Sequence, residues 1–148
     1  MPLIQYDFHL DAGAEWIRVI RLRDPNTNLL IAMDSAVMDI RNSNNTLALR
    51  LDAPSGRCLI DPTDGASIDL HISAQDSLNY FQYGSYPGAV QAVGIWGIGR
   101  AYVYDLFCVY ATGMQDRIMR GFFYVDPNIT SLLAPDTLSL TIGRRGAS

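Results

Sequence analysis

The sequence predicts an all-β fold: an antiparallel β-sandwich of immunoglobulin-like proportions, with about 7–9 strands. Apolar and polar residues alternate with a period of two through most of the chain, which is typical of strands with one buried face. Turn-forming residues separate these runs at intervals of about 8 to 12 residues. The 148 residues suit one domain, and a 49% apolar content with 18% charged residues supplies ample core material.

The first predicted strand covers residues 16–22, which are rich in β-branched and aromatic side chains and stop at the turn 24–28. Residues 36–41 and 47–51 form a predicted hairpin, because the Asn-rich segment 42–45 between them tolerates turn geometry. The side chains predicted to point inward on this hairpin are Ala36, Met38, Ile40, Leu47, Leu49 and Leu51.

A short strand at residues 58–60 and a longer one at 67–72 are predicted on either side of the turn 62–65. On the longer strand Ile68, Leu70 and Ile72 alternate inward, whereas Ser67, Asp69 and His71 alternate outward. The one predicted helical turn follows at residues 73–76, where Ser73 can cap the helix with Asp76 three residues later.

Two long strands are predicted at residues 101–110 and 117–125, joined by a hairpin loop at 111–116. The first carries one buried stripe, consisting of Tyr102, Tyr104, Leu106, Cys108 and Tyr110. On the second, one face holds Ile118, Arg120, Phe122 and Tyr124, and the other holds Met119, Phe123 and Val125. Because both strands are apolar on two faces, we expect them near the middle of a sheet and partly covered by a partner.

Two regions depart from this rhythm: an insertion at residues 79–99 within a domain spanning 1–130, and a C-terminal extension or arm at 131–148. The candidate interface aromatics of the insertion are Tyr80, Phe81, Tyr83, Tyr86 and Trp96. They suit three roles: extra core at one end of the sandwich, a protein interface, or a stacking platform for sugars. In the extension Leu138, Leu140 and Ile142 alternate with polar residues, which predicts one more strand, added to this chain or to a neighbour.

The composition excludes several partners. A net charge of −4 and a pI of about 4.9 argue against nucleic-acid binding, which needs clustered basic residues. The longest near-apolar run, residues 89–98, is about half the length needed to span a bilayer. The N-terminus lacks the basic segment and apolar run of a secretory signal, so we expect a protein made and kept in the cytoplasm until assembly or release.

The chain shows no catalytic, metal-binding or cofactor-binding pattern, and we expect no enzymatic activity and no cofactor. His9 and His71 are the only histidines and lack a familiar metal spacing. Cys58 and Cys108 allow three readings: inert buried thiols, a bridge between sheets, or a nucleophile with His71 as base. The glycines at 94–99 lead into a strand and lack a phosphate-binding lysine, so they do not form a nucleotide loop.

Several motifs, in this order, resemble small β-sandwich proteins encoded in the tail and baseplate gene clusters of bacteriophages. The motifs are Tyr6-Asp7-Phe8, Ala12-Gly13-Ala14-Glu15-Trp16, Arg23-Asp24-Pro25-Asn26, Ala36-Val37-Met38-Asp39-Ile40-Arg41, residues 68–76, Tyr104-Asp105-Leu106 and residues 120–127. The resemblance covers roughly residues 6–78 and 101–130. Members of that family pass from the helical turn to the Tyr-Asp-Leu strand through a few residues, so the insertion at 79–99 and the C-terminal extension are departures from its pattern.

The resemblance implies an immunoglobulin-like sandwich without a cofactor that belongs to a tail tip, baseplate or lower tail fibre. We therefore expect a structural virion protein that contacts other virion proteins and copies of itself. Two alternatives remain: a capsid decoration protein, which the same sandwich suits, and a receptor-reading carbohydrate module built on the Tyr and Trp residues of the insertion.

Overall fold

The computed structural model describes residues 3–81, 100–126 and 136–143, which form ten strands and one short helix. The elements are β1 (Ile4–Gln5), β2 (Phe8–Asp11), β3 (Trp16–Arg23), β4 (Met33–Arg41), β5 (Leu47–Leu51), β6 (Cys58–Ile60), β7 (Ile68–Ile72), α1 (Ala74–Asn79), β8 (Arg100–Tyr110), β9 (Gln115–Asp126) and β10 (Asp136–Gly143). The larger sheet has the order β1-β9-β8-β4-β5, with β2 also paired to β9. The smaller sheet has the order β10-β3-β7-β6.

This arrangement confirms the predicted all-β sandwich. The run β9-β8-β4-β5 corresponds to strands G, F, C and C′ of an immunoglobulin domain, and β3-β7-β6 corresponds to B, E and D. Pairing between the inner strands is antiparallel, as predicted, whereas β1 and β2 on β9, and β10 on β3, are parallel. The strands that the sequence did not predict are the short N-terminal β1 and β2.

The C-terminal strand pairs with this chain's own β3. Its register runs from Asp136 opposite Trp16 to Gly143 opposite Arg23 without a shift. It occupies the position beside the B strand that strand A holds in immunoglobulin domains, because the N-terminal strands of this chain lie on β9 instead. The prediction of one more strand in the extension is therefore confirmed, with this chain as the acceptor.

The core lies between the sheets and is centred on aromatic rings. Phe8 lies 5.4 Å from Trp16 and 5.0 Å from Tyr104, measured between ring centroids, and Trp16 lies 5.2 Å from Phe123. The inward stripes predicted on residues 68–72 and 102–110 are buried. Strict alternation along the strands therefore produces the core that the pattern predicts.

Three side chains depart from their predicted side. Leu47 is exposed because the β4–β5 ladder shifts register beside it, between Ile40 and Arg41. Ile118 is buried together with Met119 because the β8–β9 register shifts between Leu106 and Phe107, which interrupts the alternation.

Ser67, predicted to point outward, is buried. Its hydroxyl accepts a hydrogen bond from Arg21 Nε at 2.9 Å and donates one to the Asp64 carboxylate. Two polar partners thus satisfy a serine that the strand pattern alone places in solvent.

The predicted helical turn is confirmed and extends to Asn79. Ser73 accepts a hydrogen bond from the Asp76 backbone N–H at 3.1 Å, which is the predicted cap. The buried Ser77 hydroxyl accepts from the Gly13 N–H at 2.8 Å, and Arg57 pairs with Asp76 at 2.9 Å. These bonds dock the helix against the sandwich. Among the described residues, no helix has the length and apolar character needed to cross a bilayer.

Asp64 organises the turn before β7, and its contribution to stability is predicted to depend on pH. Its carboxylate accepts from Ser67 Oγ and from the Ser67 and Ala66 backbone N–H groups, each N–H at 2.9 Å. These bonds lower the pKa of Asp64 from 3.8 to about 2. Because they favour the ionised form, their stabilisation is complete above about pH 4 and is lost as the pH falls towards 2.

We therefore expect Asp64→Asn to be less stable than the wild type at pH 7 by no more than about 1 kcal/mol, since the group is exposed to solvent. Urea unfolding at pH 7 and at pH 2 measures both values, and the difference should shrink at the lower pH. Asp34→Asn, at an exposed aspartate outside this turn, serves as the control. A difference independent of pH would contradict the assignment.

Candidate interaction face

The outer face of the larger sheet is the most distinctive surface of the described residues. It is built by the alternating side chains of β9, β8, β4 and β5 that point away from the core. Four of these are large, apolar and exposed: Leu47 is 41%, Val103 is 43%, Phe107 is 37% and Phe122 is 47% accessible. We call this surface the β9-β8-β4-β5 face.

Charged side chains cross the middle of this face in one row. The strand register places Arg120 opposite Asp105, Asp105 opposite Asp39, and Asp39 opposite Arg50. Arg50 makes a two-point hydrogen bond to the Asp39 carboxylate at 2.7 and 2.9 Å, and this bond raises the pKa of Arg50. Two acidic residues thus lie at the centre of the row with an arginine at each end.

Two further arginines add positive charge to the face. Arg117 Nε lies 3.0 Å from Asp105 Oδ2, and Arg41 lies 3.8 Å from Asp39. Among residues 3–81, 100–126 and 136–143, no carboxylate forms an ion pair with Arg120. Four arginines and two aspartates leave the face with an excess of positive charge, whereas the whole chain has a net charge of −4. Acidic groups on a partner would complement this surface.

The relief of the face is shallow. Two depressions, of about 260 and 340 Å³, lie side by side and share Asp39, Asp105 and Arg117 in their linings. Small-molecule sites are concave and mostly apolar, whereas these depressions are open and lined largely by charges. The shape suits the flat surface of another protein.

An aromatic ladder continues the face towards its edge. The Phe122 ring stacks on Tyr124 with centroids 5.7 Å apart, and the His9 ring lies 4.9 Å from Tyr124. Aromatic and arginine side chains dominate the binding energy of protein interfaces, and both are present here on one rigid sheet. The arrangement therefore combines apolar anchors with charged groups that can set orientation.

The aromatic residues predicted as interface candidates have different positions. Phe81 is only 3% exposed and its ring stacks on Phe123 with centroids 5.6 Å apart, which agrees with the core role among the three roles considered. Its neighbour Tyr80 is 45% exposed, and the Arg57 guanidinium lies 5.3 Å from its ring centroid. Tyr83, Tyr86 and Trp96 lie outside the described residues. The core role thus applies to Phe81, whereas Tyr80 remains available for contact.

The C-terminal candidates belong to β10. Leu138 is part of this strand, opposite Arg18 of β3. Leu140 and Ile142 are partly buried and pack against the core. In the monomer these two side chains therefore contribute to the sandwich.

The groups considered for chemistry are dispersed. Neither cysteine forms a disulfide and both are buried, and burial raises the pKa of the Cys58 thiol to about 12, so the structure agrees with inert thiols. His71 is partly exposed, with Nε2 at 3.3 Å from Glu15 Oε2. Within the described ranges, no three His, Cys, Asp or Glu side chains are grouped so that they could hold a metal ion.

Fold and face together define an immunoglobulin-like β-sandwich with an open, arginine-rich sheet surface. No protein-family model matches the chain, and a search of curated proteins finds no match.

The sequence indicated a partner on this face through the two-sided apolar character of β8 and β9. It did not identify Asp39, Arg50, Asp105 and Arg120 as one row, because that grouping depends on the register between four strands. The sequence signal was the alternation within each strand. It predicts the side of the sheet on which a side chain lies, but it does not predict which side chains of the adjacent strands lie beside it.

Proposed function

We propose that the chain is a structural protein of a tailed bacteriophage that acts through protein contacts as a subunit or adaptor of the tail tip or baseplate. The observation that carries the contact role is the β9-β8-β4-β5 face, with exposed apolar side chains beside paired charges. The placement in a tail is supported by the ordered sequence motifs that resemble tail and baseplate sandwiches.

Energetic considerations favour a protein partner for this face. Phe107 is 37% and Phe122 is 47% accessible, so covering the accessible part of each ring contributes roughly 0.5–1.5 kcal/mol, which is under half of the value for a fully exposed side chain. The Asp39–Arg50 and Asp105–Arg117 pairs contribute little to affinity at the surface, yet they favour one orientation and disfavour basic partners. The face thus has the properties of a specific contact in an assembled particle.

Substitution on the face should separate assembly from folding. We expect the double variant Phe107→Glu/Phe122→Glu to remain folded with a loss of about 1–2 kcal/mol, because each ring is only partly accessible and Phe122 also stacks on Tyr124. Its incorporation into particles of the phage that carries this gene should fall at least tenfold, on the order of the loss of one interface hot spot. Quantitative immunoblotting of purified particles measures incorporation, and urea unfolding measures stability.

The matched control replaces exposed leucines elsewhere, as Leu29→Glu/Leu59→Glu, which adds the same charge away from the face. If the Phe107→Glu/Phe122→Glu variant were incorporated into particles as well as the wild type, the β9-β8-β4-β5 face would not be the contact surface. A reconstruction of the particle tests location: density for this chain at the tail tip or baseplate is the expected result. Density confined to the icosahedral shell would favour capsid decoration and overturn the tail placement.

A further inference from the structure

The outer edge of β10 is a long strand edge that the described residues leave open. β10 pairs with β3 on one side and is the terminal strand of the smaller sheet. The ladder covers Asp136 to Gly143 without a register shift, so the strand is regular along its length. Half of the backbone N–H and C=O groups of such a strand point away from its neighbour and are free to pair with another strand.

The other described sheet edges carry features that hinder strand addition. β6 has three residues, and β5 has a register shift beside it and the charged Arg50. The N-terminal edge is divided between β1 and β2, which are separated by Tyr6 and Asp7. By contrast, residues 137–143 contain neither a charged residue nor a proline. Natural edge strands usually carry charged residues, prolines or bulges that prevent pairing with another chain, and an edge strand without them is suited to pairing.

We propose that two copies of the chain pair through antiparallel β10 strands about a two-fold axis, which joins their four-stranded sheets into one continuous sheet. A two-fold axis normal to the sheet makes the strands antiparallel and keeps the core side of each copy on the same side. No like charges meet between residues 137 and 143, so a second copy fits this edge without repulsion.

Side-chain direction limits the register of this pairing. Residues directly opposite each other in an antiparallel pair share one face, so exposed Ser139 and Thr141 must meet exposed residues of the second copy. Two central registers satisfy this rule: Ser139 opposite Ser139, or Leu140 opposite Leu140. In the second register Ser139 lies opposite Thr141 of the other copy.

The test is the variant Ser139→Lys/Thr141→Lys, which opposes lysines across the two-fold axis in either register. For the wild type, sedimentation velocity at micromolar concentrations should show a dimer. The lysine variant should dissociate with a constant at least about fivefold higher, because each register opposes at least one pair of lysines across the axis. Circular dichroism checks that the variant is folded. A wild type that stays monomeric at 100 μM, taken as roughly the weakest relevant affinity, would overturn the pairing.

Arg21 donates a hydrogen bond to Ser139 at 2.8 Å, and the lysine variant loses this bond, which weakens β10 locally. A charge-swap experiment separates this local damage from the loss of pairing between copies. Mixing the lysine variant with Ser139→Glu/Thr141→Glu should restore a mixed dimer, whereas damage to the fold would not be repaired by mixing. Ser43→Lys/Leu47→Lys, at exposed positions at the other sheet's edge, should leave the dimer intact.

A lysine variant that remains as dimeric as the wild type would also exclude the β10 edge. A wild-type chain that stays monomeric would refute the pairing through β10. The proposed tail role does not depend on this pairing and is tested by the particle experiments.

Discussion

Replacing Gly121 with alanine is expected to destabilise the protein by about 3 kcal/mol or more, one of the largest effects of any single methyl group added to this chain. A Cβ at this position would overlap the Tyr6 carbonyl oxygen and lie 2.9 Å from Asp7 Oδ1. The obstacle is backbone, so a side-chain rotation cannot relieve the overlap. The N-terminal segment would have to move away from β9.

That movement would break several hydrogen bonds at once. The Tyr6 N–H donates to the Arg120 carbonyl at 3.1 Å, and the Tyr6 carbonyl accepts from the Tyr104 hydroxyl at 2.6 Å. Asp7 Oδ1 accepts from the Phe122 N–H of β9 at 2.9 Å, at the break in the chain's pairing with β9 that separates β1 from β2. Phe8, the next residue, carries an aromatic ring at the centre of the core. The cost therefore combines steric overlap with lost bonds to β8 and β9.

Urea unfolding of Gly121→Ala measures this cost, and Gly56→Ala is the matched control. Gly56 has a φ of +76° and nothing within 4 Å of a built Cβ, so alanine there meets only backbone strain of about 1 kcal/mol. If the two variants were equally stable, the close approach of Tyr6 to β9 would be wrong.

Much of the sandwich could be predicted because its physical basis is local. Burying one face of a strand requires alternation, and alternation located β3, β4, β5, β7, β8 and β9 as well as the extra strand of the extension. Neither β1 nor β2 was predicted, because Ile4–Gln5 and Phe8–Asp11 are too short for a periodic signal. Their position is fixed by Gly121, which is distant in sequence.

Buried polar residues show where alternation gives an incomplete account. Arg18 lies on the inward stripe of β3 and is buried, a position where a strand pattern predicts an apolar residue. Its guanidinium lies 4.7 Å from the Trp16 ring centroid and donates to the His9 and Ile17 carbonyls. One of these partners, the His9 carbonyl, comes from β2, a strand that is too short for periodicity to predict.

The candidate site was less predictable than the fold for the same reason. The interface was predicted at the aromatic residues of the insertion and the apolar residues of the extension, because these regions depart from the regular strand pattern. The exposed Phe107 and Phe122 lie instead on central strands, where apolar residues are usually attributed to the core. Only the sheet register shows that they share a face with four arginines.

Removing the Phe81 ring should cost about 3–4 kcal/mol, which is the range for truncating a buried phenylalanine. The ring stacks on Phe123 at an interplanar angle of 18° and meets Tyr102 edge-on with centroids 5.2 Å apart. Phe81 lies two residues after the end of α1, so its burial anchors the end of the helix to the core. Phe81→Ala would leave a cavity beside Phe123 and release that anchor.

The adjacent Tyr80 provides a matched control for this prediction. Tyr80 is exposed and its ring contacts Arg57, so Tyr80→Ala should cost less than about 1 kcal/mol. Urea unfolding of both variants decides between core and interface roles for these neighbouring aromatics. Equal costs, or a Phe81→Ala variant as stable as the wild type, would contradict the buried position. A larger cost for Phe81→Ala than for Tyr80→Ala would assign Phe81 to the core. Tyr80 would then be the aromatic residue, among the described residues of the insertion, that can contact a partner.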